Sequence, residues 1–477
     1  MIPYWRETTL NTYHMRTRYF LILTFVTLLL AGCCQKNDNL LRVDVPKRPA
    51  GQTDMLAFAA PPIDTVRVGF VGLGMRGSGA INRYLHLPTA RIAALCDVVP
   101  ANVERAQAKL AAAGLPAAAA YSGDTEVFKQ LCERDDIDLV YICTDWVHHV
   151  PVALYAMEHG KHVAIEVPSA TSMEEIWALI NTSERTRKHC MQLENCCYDF
   201  FELNTLNMAQ HGLFGTIYHG EGAYIHCLTP FWDEYWNNWR LEFNRTHKGD
   251  VYPTHGFGPV CQVFDIHRGD QLKTLVAMDT DAFTGPGLVR DRNMDVENPD
   301  EFANGDHTTT LIRTAKGRTI QVQHGVMTPR PYNRMYQIVG TTGFAGKYPR
   351  PGYSFVPEKI KDVVDVPERY DGDSYLTQEQ YDQLVEAYTH PLIKEIGEVA
   401  KQVGGHGGMD FMMDYRLIYC LNHGLPLDMD VYDLAEWCCI GPLSALSIEH
   451  GSAPVEVPDF TRGGQDKIKG FHYAYAE

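Results

Sequence analysis

The sequence carries no surplus of positive charge. Its 42 Lys and Arg stand against 59 Asp and Glu, a formal net charge of −17. That balance argues against the basic face needed to neutralise a phosphate backbone, so nucleic acid is not expected among the partners. None of the 13 cysteines forms a Cys-x-x-Cys pair, which removes the zinc-ribbon spacing. The adjacent pairs Cys33-Cys34, Cys196-Cys197 and Cys438-Cys439 suit neither a simple disulfide nor a zinc knuckle, and no structural metal is expected. Cys96, Cys143 and Cys261 lie in apolar runs, where cysteine behaves as a small hydrophobe. The chain has no internal repeat, and no low-complexity run beyond Ala111 to Ala120. What remains is a 477-residue chain, 45% hydrophobic and 21% charged. That is enough for about two to three domains with a large core, and unlike a disordered tail or a stapled miniprotein.

The N-terminus has the layout of a targeting segment. Arg16 and Arg18 precede an uncharged apolar run, Tyr19 to Ala31, which is short of the about 20 residues a bilayer span needs. It fits the h-region of a signal peptide. Leu30-Ala31-Gly32-Cys33 resembles the bacterial lipobox, in which the peptide is cut before the cysteine and the cysteine takes lipid. Residues 1–32 are thus expected to be a lipoprotein signal peptide. The expectation is an exported protein anchored in the membrane by that lipid alone, in the periplasm or at the cell surface. Gln35 to Asp64 is polar and aperiodic, and 33–64 reads as a tether.

From Val66 the texture changes. Strand candidates at Val66 to Val71, Ile92 to Cys96, Ile137 to Cys143 and His162 to Ile165 alternate with helix candidates. The helices are expected at Ser78 to Tyr84, Ala101 to Ala113, Thr125 to Glu133 and Val150 to His159. Alternation of this kind predicts a parallel, doubly wound sheet over 65–195. After Asn195, longer strand-like segments at Thr216 to Ile225, Thr274 to Met278, Thr308 to Arg313, Thr319 to His324 and Met335 to Val339 predict a second domain, 196–477, with a largely antiparallel sheet. Helical stretches return at Glu379 to Val403 and Met409 to His423. The fold class expected is α/β: an N-terminal Rossmann domain, then an α/β domain with an open sheet. That open sheet also offers a face for a second copy of the chain.

Gly72-Leu73-Gly74-Met75-Arg76-Gly77 is a G-x-G-x-x-G between a strand and a helix. Asp97 ends the next strand, about 20 residues past the third glycine, where such motifs carry an acid for the ribose diol. The glycines permit a tight turn and bring the helix N-terminus to a pyrophosphate. The Asp97 charge would repel a 2′-phosphate, which favours NAD over NADP. Two further segments fall at strand C-terminal ends, where doubly wound sheets present ligand: Thr144-Asp145-Trp146-Val147-His148-His149 and Glu166-Val167-Pro168. For His148 and His149, helix capping and cofactor contact remain equal alternatives.

These features resemble the Gfo/Idh/MocA oxidoreductases. That superfamily usually carries Glu-Lys-Pro where this chain has Glu166-Val167-Pro168, and its lysine assists proton transfer at the oxidised hydroxyl. Val167 cannot. A closer resemblance, to glycoside hydrolase family 109, rests on Trp239-Arg240-Leu241-Glu242-Phe243-Asn244, Gly249-Asp250-Val251-Tyr252-Pro253-Thr254-His255-Gly256, Asp265-Ile266-His267-Arg268-Gly269-Asp270, Thr328-Pro329-Arg330-Pro331-Tyr332 and His406-Gly407-Gly408-Met409-Asp410. It covers the chain from about Val66 to the C-terminal region. The resemblance implies an NAD-dependent α-N-acetylgalactosaminidase. By it, Met75, Arg76, Asp97, Trp146 to His149, Glu166, Val167 and Asn195 would contact NAD. Tyr224, Arg240, Tyr252, Pro253, Thr254, His255 and Tyr332 would line the sugar pocket, with Tyr252 touching both ligands. The family more often has Asn-Arg-Gly at Met75-Arg76-Gly77.

Common glycosidases use two carboxylates, and NAD-dependent ones are an exception. The chemistry the resemblance implies oxidises the sugar at carbon 3, removes the proton on carbon 2, expels the aglycone, adds water and restores the hydroxyl. It needs two bases and an acid. His255 is the first candidate, because an imidazole titrates near neutral pH, with Tyr224 and Tyr252 as secondary candidates and Arg240 orienting the sugar. The bland alternatives are a turn with a satisfied histidine at Tyr252 to His255, and a packing role for Phe231, Trp232, Tyr235, Trp236 and Trp239. Two other functions stay open: an NAD-dependent sugar dehydrogenase with net turnover, and a surface sugar-binding lipoprotein.

Overall fold

A computed structural model describes residues 39–296, 298–366 and 372–476. The expected signal peptide, Cys33 and the first residues of the expected tether lie outside them. From Leu41 the stretch read as a tether is docked on the body instead. The Leu41 N–H donates to the Pro454 carbonyl, and the Ile63 N–H to that of Leu421. Arg48 pairs with the buried Glu184 at 3.0 Å, and the Met55 N–H donates to the Tyr432 hydroxyl. Such contacts join residues hundreds of positions apart, so no local periodicity announces them. Among the described residues, no helix is long and apolar enough to cross a membrane.

The first domain is a six-stranded parallel sheet: β1 (Val66–Val71), β2 (Ala90–Asp97), β3 (Ala119–Ser122), β4 (Leu139–Ile142), β5 (His162–Ile165) and β6 (Cys190–Gln192). Their order is β3-β2-β1-β4-β5-β6, with helices α1 (Met75–Tyr84), α2 (Pro100–Ala112), α3 (Phe128–Cys132), α4 (Trp146–Glu158) and α5 (Met173–Thr186) between them. The inner strands are buried on both faces, which explains their continuous apolar runs. The strand expected third in the chain is fourth. The third is β3, which begins in what reads as an alanine-rich tract. The order reverses between β1 and β4, so their C-terminal ends open the crevice in which such sheets bind ligand.

The second sheet runs β13-β12-β11-β7-β10-β9-β8-β14. Its strands are β7 (Ile217–Ile225), β8 (Leu272–Asp279), β9 (Thr308–Thr314), β10 (Thr319–Gly325), β11 (Asn333–Gly340), β12 (Gly343–Gly346), β13 (Gly352–Phe355) and β14 (Val455–Glu456). All neighbours are antiparallel except β7 and β10. Burial alternates along β9, so one face is covered and the other is open, with Val276, Met278 and Leu311 exposed. The helices that matter for the site are α6 (Phe200–Gln210), α7 (Trp239–Thr246), α8 (Thr254–Val263), α9 (Met409–His423), α10 (Val431–Cys438) and α11 (Ile440–Glu449).

Helix α8 corrects the turn alternative for Tyr252 to His255. It forms despite Gly256, Gly258 and Pro259, each a poor helix former. Packing supplies the reason. A Cβ on Gly256 would lie 2.0 Å from the Ala223 nitrogen, and one on Gly222 would lie 2.2 Å from the Gly256 carbonyl oxygen. Backbone touches backbone there, and only glycine permits it. The contact carries the first turn of α8, with His255, up against Tyr224 on β7. Gly256→Ala should therefore cost about 3 kcal/mol or more through overpacking. The measurement is thermal unfolding. A variant with unchanged melting temperature would contradict this packing.

Candidate functional site

The glycine loop fits a dinucleotide. Gly72 has φ +88°, and a Cβ there would lie 2.5 Å from the Cys143 carbonyl at the end of β4. A Cβ on Gly77 would lie 1.9 Å from the Gly72 oxygen, whereas one on Gly74 would meet nothing within 4 Å. Gly72 and Gly77 thus close the loop, and Gly74 leaves space beside the start of α1. No side chain caps that helix, so its first N–H groups face the space and suit an anionic pyrophosphate. Asp97 is buried. One carboxylate oxygen accepts the Leu73 N–H at 2.6 Å and the other the Val99 N–H at 2.8 Å. These bonds fix the carboxylate at the adenosine end, with lone pairs left for a ribose diol.

One cavity of about 980 Å³ runs from Asp97 past the loop to Tyr224, Arg240, Tyr252 and His255. Of the residues expected in the site, Gly72, Gly74, Met75, Arg76, Asp97, Trp146, His148, His149, Glu166, Val167, Asn195, Tyr224, Arg240, Tyr252 and His255 line it. Gly77, Val147, Pro253, Thr254 and Tyr332 do not. Gly77 closes the loop from behind. Val147 is exposed on the outside of α4. Pro253 and Thr254 start α8 and aim its first turn rather than touching ligand space. Tyr332 stands at the edge, its ring 5.0 Å from that of His226.

At the junction of the two ends the groups are ionic. Arg76 Nε donates to Glu166 at 2.9 Å, and its Nη1 to Asp410 of α9 at 3.1 Å. Asp410 also accepts from Asn195 and lies 3.0 Å from His406 Nδ1. Burial opposes charge on Asp410, but Arg76, His406 and Arg83 hold its carboxyl well below the usual carboxylate range. The cap of α4 is Asp145, which accepts the His148 N–H. His149 does not cap. Its buried ring bridges the carbonyls of Pro168 (2.9 Å) and Thr144 (3.1 Å), tying together the loops that follow β5 and β4.

The far end holds two phenols, each backed by an imidazole. Tyr252 hydroxyl lies 3.2 Å from His255 Nε2, and His255 Nδ1 lies 2.7 Å from Glu194. Glu194 is fully buried. Burial opposes its charge, yet His255, Thr254 and the Cys196 N–H keep its carboxyl below the ordinary value. Gly258 leaves room for it, since a Cβ there would crowd the Glu194 Cγ at 3.1 Å. The second pair is Tyr224 hydroxyl and His226 Nδ1, 2.9 Å apart. Burial and Arg240 push the His226 pKa down to about 4, so the ring is neutral at pH 7. Arg240 donates to the hydroxyls of Tyr224 (3.3 Å) and Tyr235 (2.7 Å). Its guanidinium lies within 6 Å of the rings of Trp146, Tyr224, Tyr235 and Tyr252, an aromatic cage for a cation. Val167 lines the same cavity and offers no proton. Glu194, Cys196 and His255 bring three potential metal ligands within 4.8 Å, but Arg334 Nη1 sits 2.6 Å from the Cys196 sulfur, a cation where a metal would need its ligand.

Glu194, His226 and Asp410 were not among the expected site residues. Each had a local signal: Glu194 follows a strand end beside Asn195, His226 follows Tyr224 by two just past the end of β7, and Asp410 follows His406 by four.

Residues 198–467 match the family model described as "Glycosyl hydrolase 109, C-terminal domain", and residues 66–193 match "Oxidoreductase family, NAD-binding Rossmann fold". Among similar proteins is "Glycosyl hydrolase family 109 protein 1" of Phocaeicola vulgatus, 61% identical over 458 residues, which are 94% of this chain and 97% of that protein. "Glycosyl hydrolase family 109 protein" of Porphyromonas gingivalis is 59% identical over 438 residues, 92% of this chain and 93% of that one. Among solved structures, a levoglucosan dehydrogenase in complex with NADH shares the fold, with TM-score 0.62 and 17% identity, covering 83% of this chain and 100% of that one. A myo-inositol dehydrogenase from Lactobacillus casei in complex with NAD(H) and myo-inositol does too, with TM-score 0.55 and 18% identity, covering 83% and 99%. The Rossmann domain binds NAD.

The cavity makes a demand on that binding. Gly74→Val would fill the space beside α1 and should weaken NAD by on the order of a hundredfold while leaving thermal stability nearly unchanged. Asp97→Ala should narrow the preference for NAD over NADP. Calorimetric titration with both cofactors measures each effect. Equal affinities in the unsubstituted protein would overturn the assignment of Asp97.

Proposed function

The chain belongs to glycosyl hydrolase family 109, and we propose that it cleaves α-linked N-acetylgalactosaminides after transient oxidation of the sugar at carbon 3. The observation that carries this reading is the pairing of two tyrosine–histidine couples with a dinucleotide groove in one cavity, where Val167 supplies no proton donor. Bound in that groove, NAD supplies reversible oxidation of the carbon-3 hydroxyl, which acidifies the proton on carbon 2.

The residues then divide the proton work. Tyr252 can pass a proton to His255 Nε2, whose other nitrogen is held by Glu194, so the relay starts with its acceptor nitrogen facing the phenol. The neutral His226 holds the Tyr224 hydroxyl by a hydrogen bond and so positions that phenol as a proton donor to the leaving group. Arg240 sits against both phenols, where its charge favours the phenolate that each transfer creates. Two bases and a returning acid are what elimination across carbons 2 and 1 requires. The carboxylates Glu166 and Glu194 are already engaged, with Arg76 and His255, which disfavours direct displacement by a carboxylate pair.

Turnover in heavy water tests the reaction. Free sugar should appear with deuterium at carbon 2 and no net NADH. Stoichiometric NADH would make the chain a dehydrogenase, and efficient hydrolysis without bound NAD would remove the redox step. His255→Ala should slow turnover by on the order of a hundredfold or more, with NAD affinity retained. Glu194→Gln should lower kcat while KM stays nearly constant, because it removes the negative charge that stabilises the imidazolium formed when His255 takes a proton.

We also propose that Cys33 carries lipid after removal of 1–32, on the strength of Leu30-Ala31-Gly32-Cys33. Mass spectrometry of the cellular protein should find no unmodified peptide spanning Gly32-Cys33. Such a peptide as the dominant form would defeat the proposal.

A further inference from the structure

His406 lines the same cavity, yet the proposed reaction gives it nothing to do. Its loop has an uncommon backbone. Gly404, Gly405, His406, Gly407 and Gly408 all have positive φ, from 48° at His406 to 113° at Gly408. They join the helix Pro391–Val403 to α9. Two of these glycines are packed. A Cβ on Gly405 would lie 2.6 Å from the Asp410 Cβ, and one on Gly408 2.8 Å from the Ala400 carbonyl carbon. The loop is thus pinned on both sides of residue 406. At 406 itself a further glycine would suit the backbone best, because a left-handed residue crowds its own Cβ against the following carbonyl. A histidine stands there instead, in a strained conformation of the kind that gathers at ligand clamps.

Its protein contacts do not account for it. His406 Nδ1 lies 3.0 Å from Asp410, a carboxylate that already has Arg76, Arg83 and Asn195. The contact orients the ring: the carboxylate only accepts, so the proton sits on Nδ1 and Nε2 is left for a ligand. The side chain is 57% exposed, against 1% for Asp410, and what is exposed faces the cavity.

Position selects the ligand. The pyrophosphate belongs at the start of α1, beside Gly74. Arg76, in the first turn of α1, carries its side chain from there to Glu166 and Asp410, and its Nη1 lies 3.4 Å from His406 Nδ1. The part of a dinucleotide that follows the pyrophosphate in this direction is the nicotinamide ribose. A ribose diol both donates and accepts, so it bonds Nε2 in either protonation state of the ring.

We propose that His406 binds the ribose on the nicotinamide side of NAD, so that the loop 404–408 clamps the cofactor from the second domain. The Rossmann domain then holds the adenosine and pyrophosphate, and release of NAD requires the second domain to let go as well. The clamp requires bound NAD alone and is independent of the reaction proposed above.

The full chain loaded with NADH and chased with excess NAD reports release through NADH fluorescence. His406→Gly should release NADH roughly tenfold faster, the size of one lost hydrogen bond. His406→Asn, which also tolerates a left-handed backbone but has a shorter side chain, should do the same. Freed of cofactor, both variants should melt no lower than the unsubstituted protein, since each suits the backbone better. Competition titrations place the contact, because ADP-ribose carries the ribose and ADP does not. His406→Gly should weaken ADP-ribose roughly tenfold and ADP by less than about twofold. Unchanged NADH release would overturn the clamp, including the case in which only the KM for a glycoside rises, which would assign His406 to the sugar. Equal weakening of ADP and ADP-ribose would overturn the ribose as the contact. The same equal weakening with a lower melting temperature would make His406 a structural residue.

Discussion

Asp410 is 1% exposed and has two arginines, an asparagine and a histidine on its two oxygens. A buried carboxylate without partners costs several kcal/mol, and a buried arginine costs as much. The group is therefore stable only when all its members meet, and they come from both domains. Arg76 belongs to the first turn of α1, at the glycine motif, Arg83 to the last turn of α1, Asn195 to the exit of β6, and Asp410 to α9. One turn further along α9, Asp414 takes Arg83 Nε at 2.6 Å and the Tyr141 hydroxyl at 2.9 Å. Burial pushes the Asp414 carboxyl up to about 6 despite Arg83. The second domain is thus docked on the first by polar groups whose geometry tolerates little slippage.

The consequence reaches the cavity. Arg76 is shared between Asp410 and Glu166, so the same network that joins the domains holds the loop past which the cavity runs. Asn195 is anchored by Asp410 one residue after Glu194, which holds His255. His255 in turn is placed by the backbone contact of α8 with β7 at Gly222 and Gly256. Two independent constraints, one ionic and one steric, thus fix the two ends of the Glu194–His255–Tyr252 chain. A group that must receive and return a proton within hydrogen-bond distance benefits from such over-determination, since misplacement by about 1 Å can cost on the order of a hundredfold in rate.

What could be read from the chain follows from how local the cause is. β1 and β5 match the expected ranges because buried parallel strands write themselves as unbroken apolar runs. The glycine loop and Asp97 are legible because each glycine answers a steric demand a few residues away. β3 was hidden by its alanines, and β6 is only three residues long. Helix α8 reads against its own composition, because Gly256 and Gly258 serve contacts with Ala223 and Glu194 that lie far off in sequence. The docking of Leu41 to Asp64 is equally non-local. In the site, Pro253 and Thr254 share a motif with Tyr252 and His255, and a motif cannot tell the residues that start a helix from those it presents. Nor could it divide the buried Trp232 from the exposed Trp236, since burial is decided by how the chain turns at Asn237 and Asn238.

Val167 ties these strands of argument together. In a site of this architecture, a lysine at that position would put the proton-transfer group on the Rossmann domain, beside the nicotinamide end of the groove. With valine there, the proton-handling residues of the proposed reaction, Tyr224, His226, Tyr252 and His255, all come from the second domain, and only Glu194 reaches them from the end of the first. Oxidation and proton transfer are then assigned to different domains and meet only if the seam between them holds. That gives the buried ionic network a part in the chemistry beyond stability: it sets the distance between the cofactor groove and the two tyrosine–histidine couples. It also explains why the seam is built from charges. An apolar interface of equal strength could slide by a fraction of a turn at little cost, whereas each displacement of α9 would leave Arg83 buried without its carboxylates and Asp410 without its arginines.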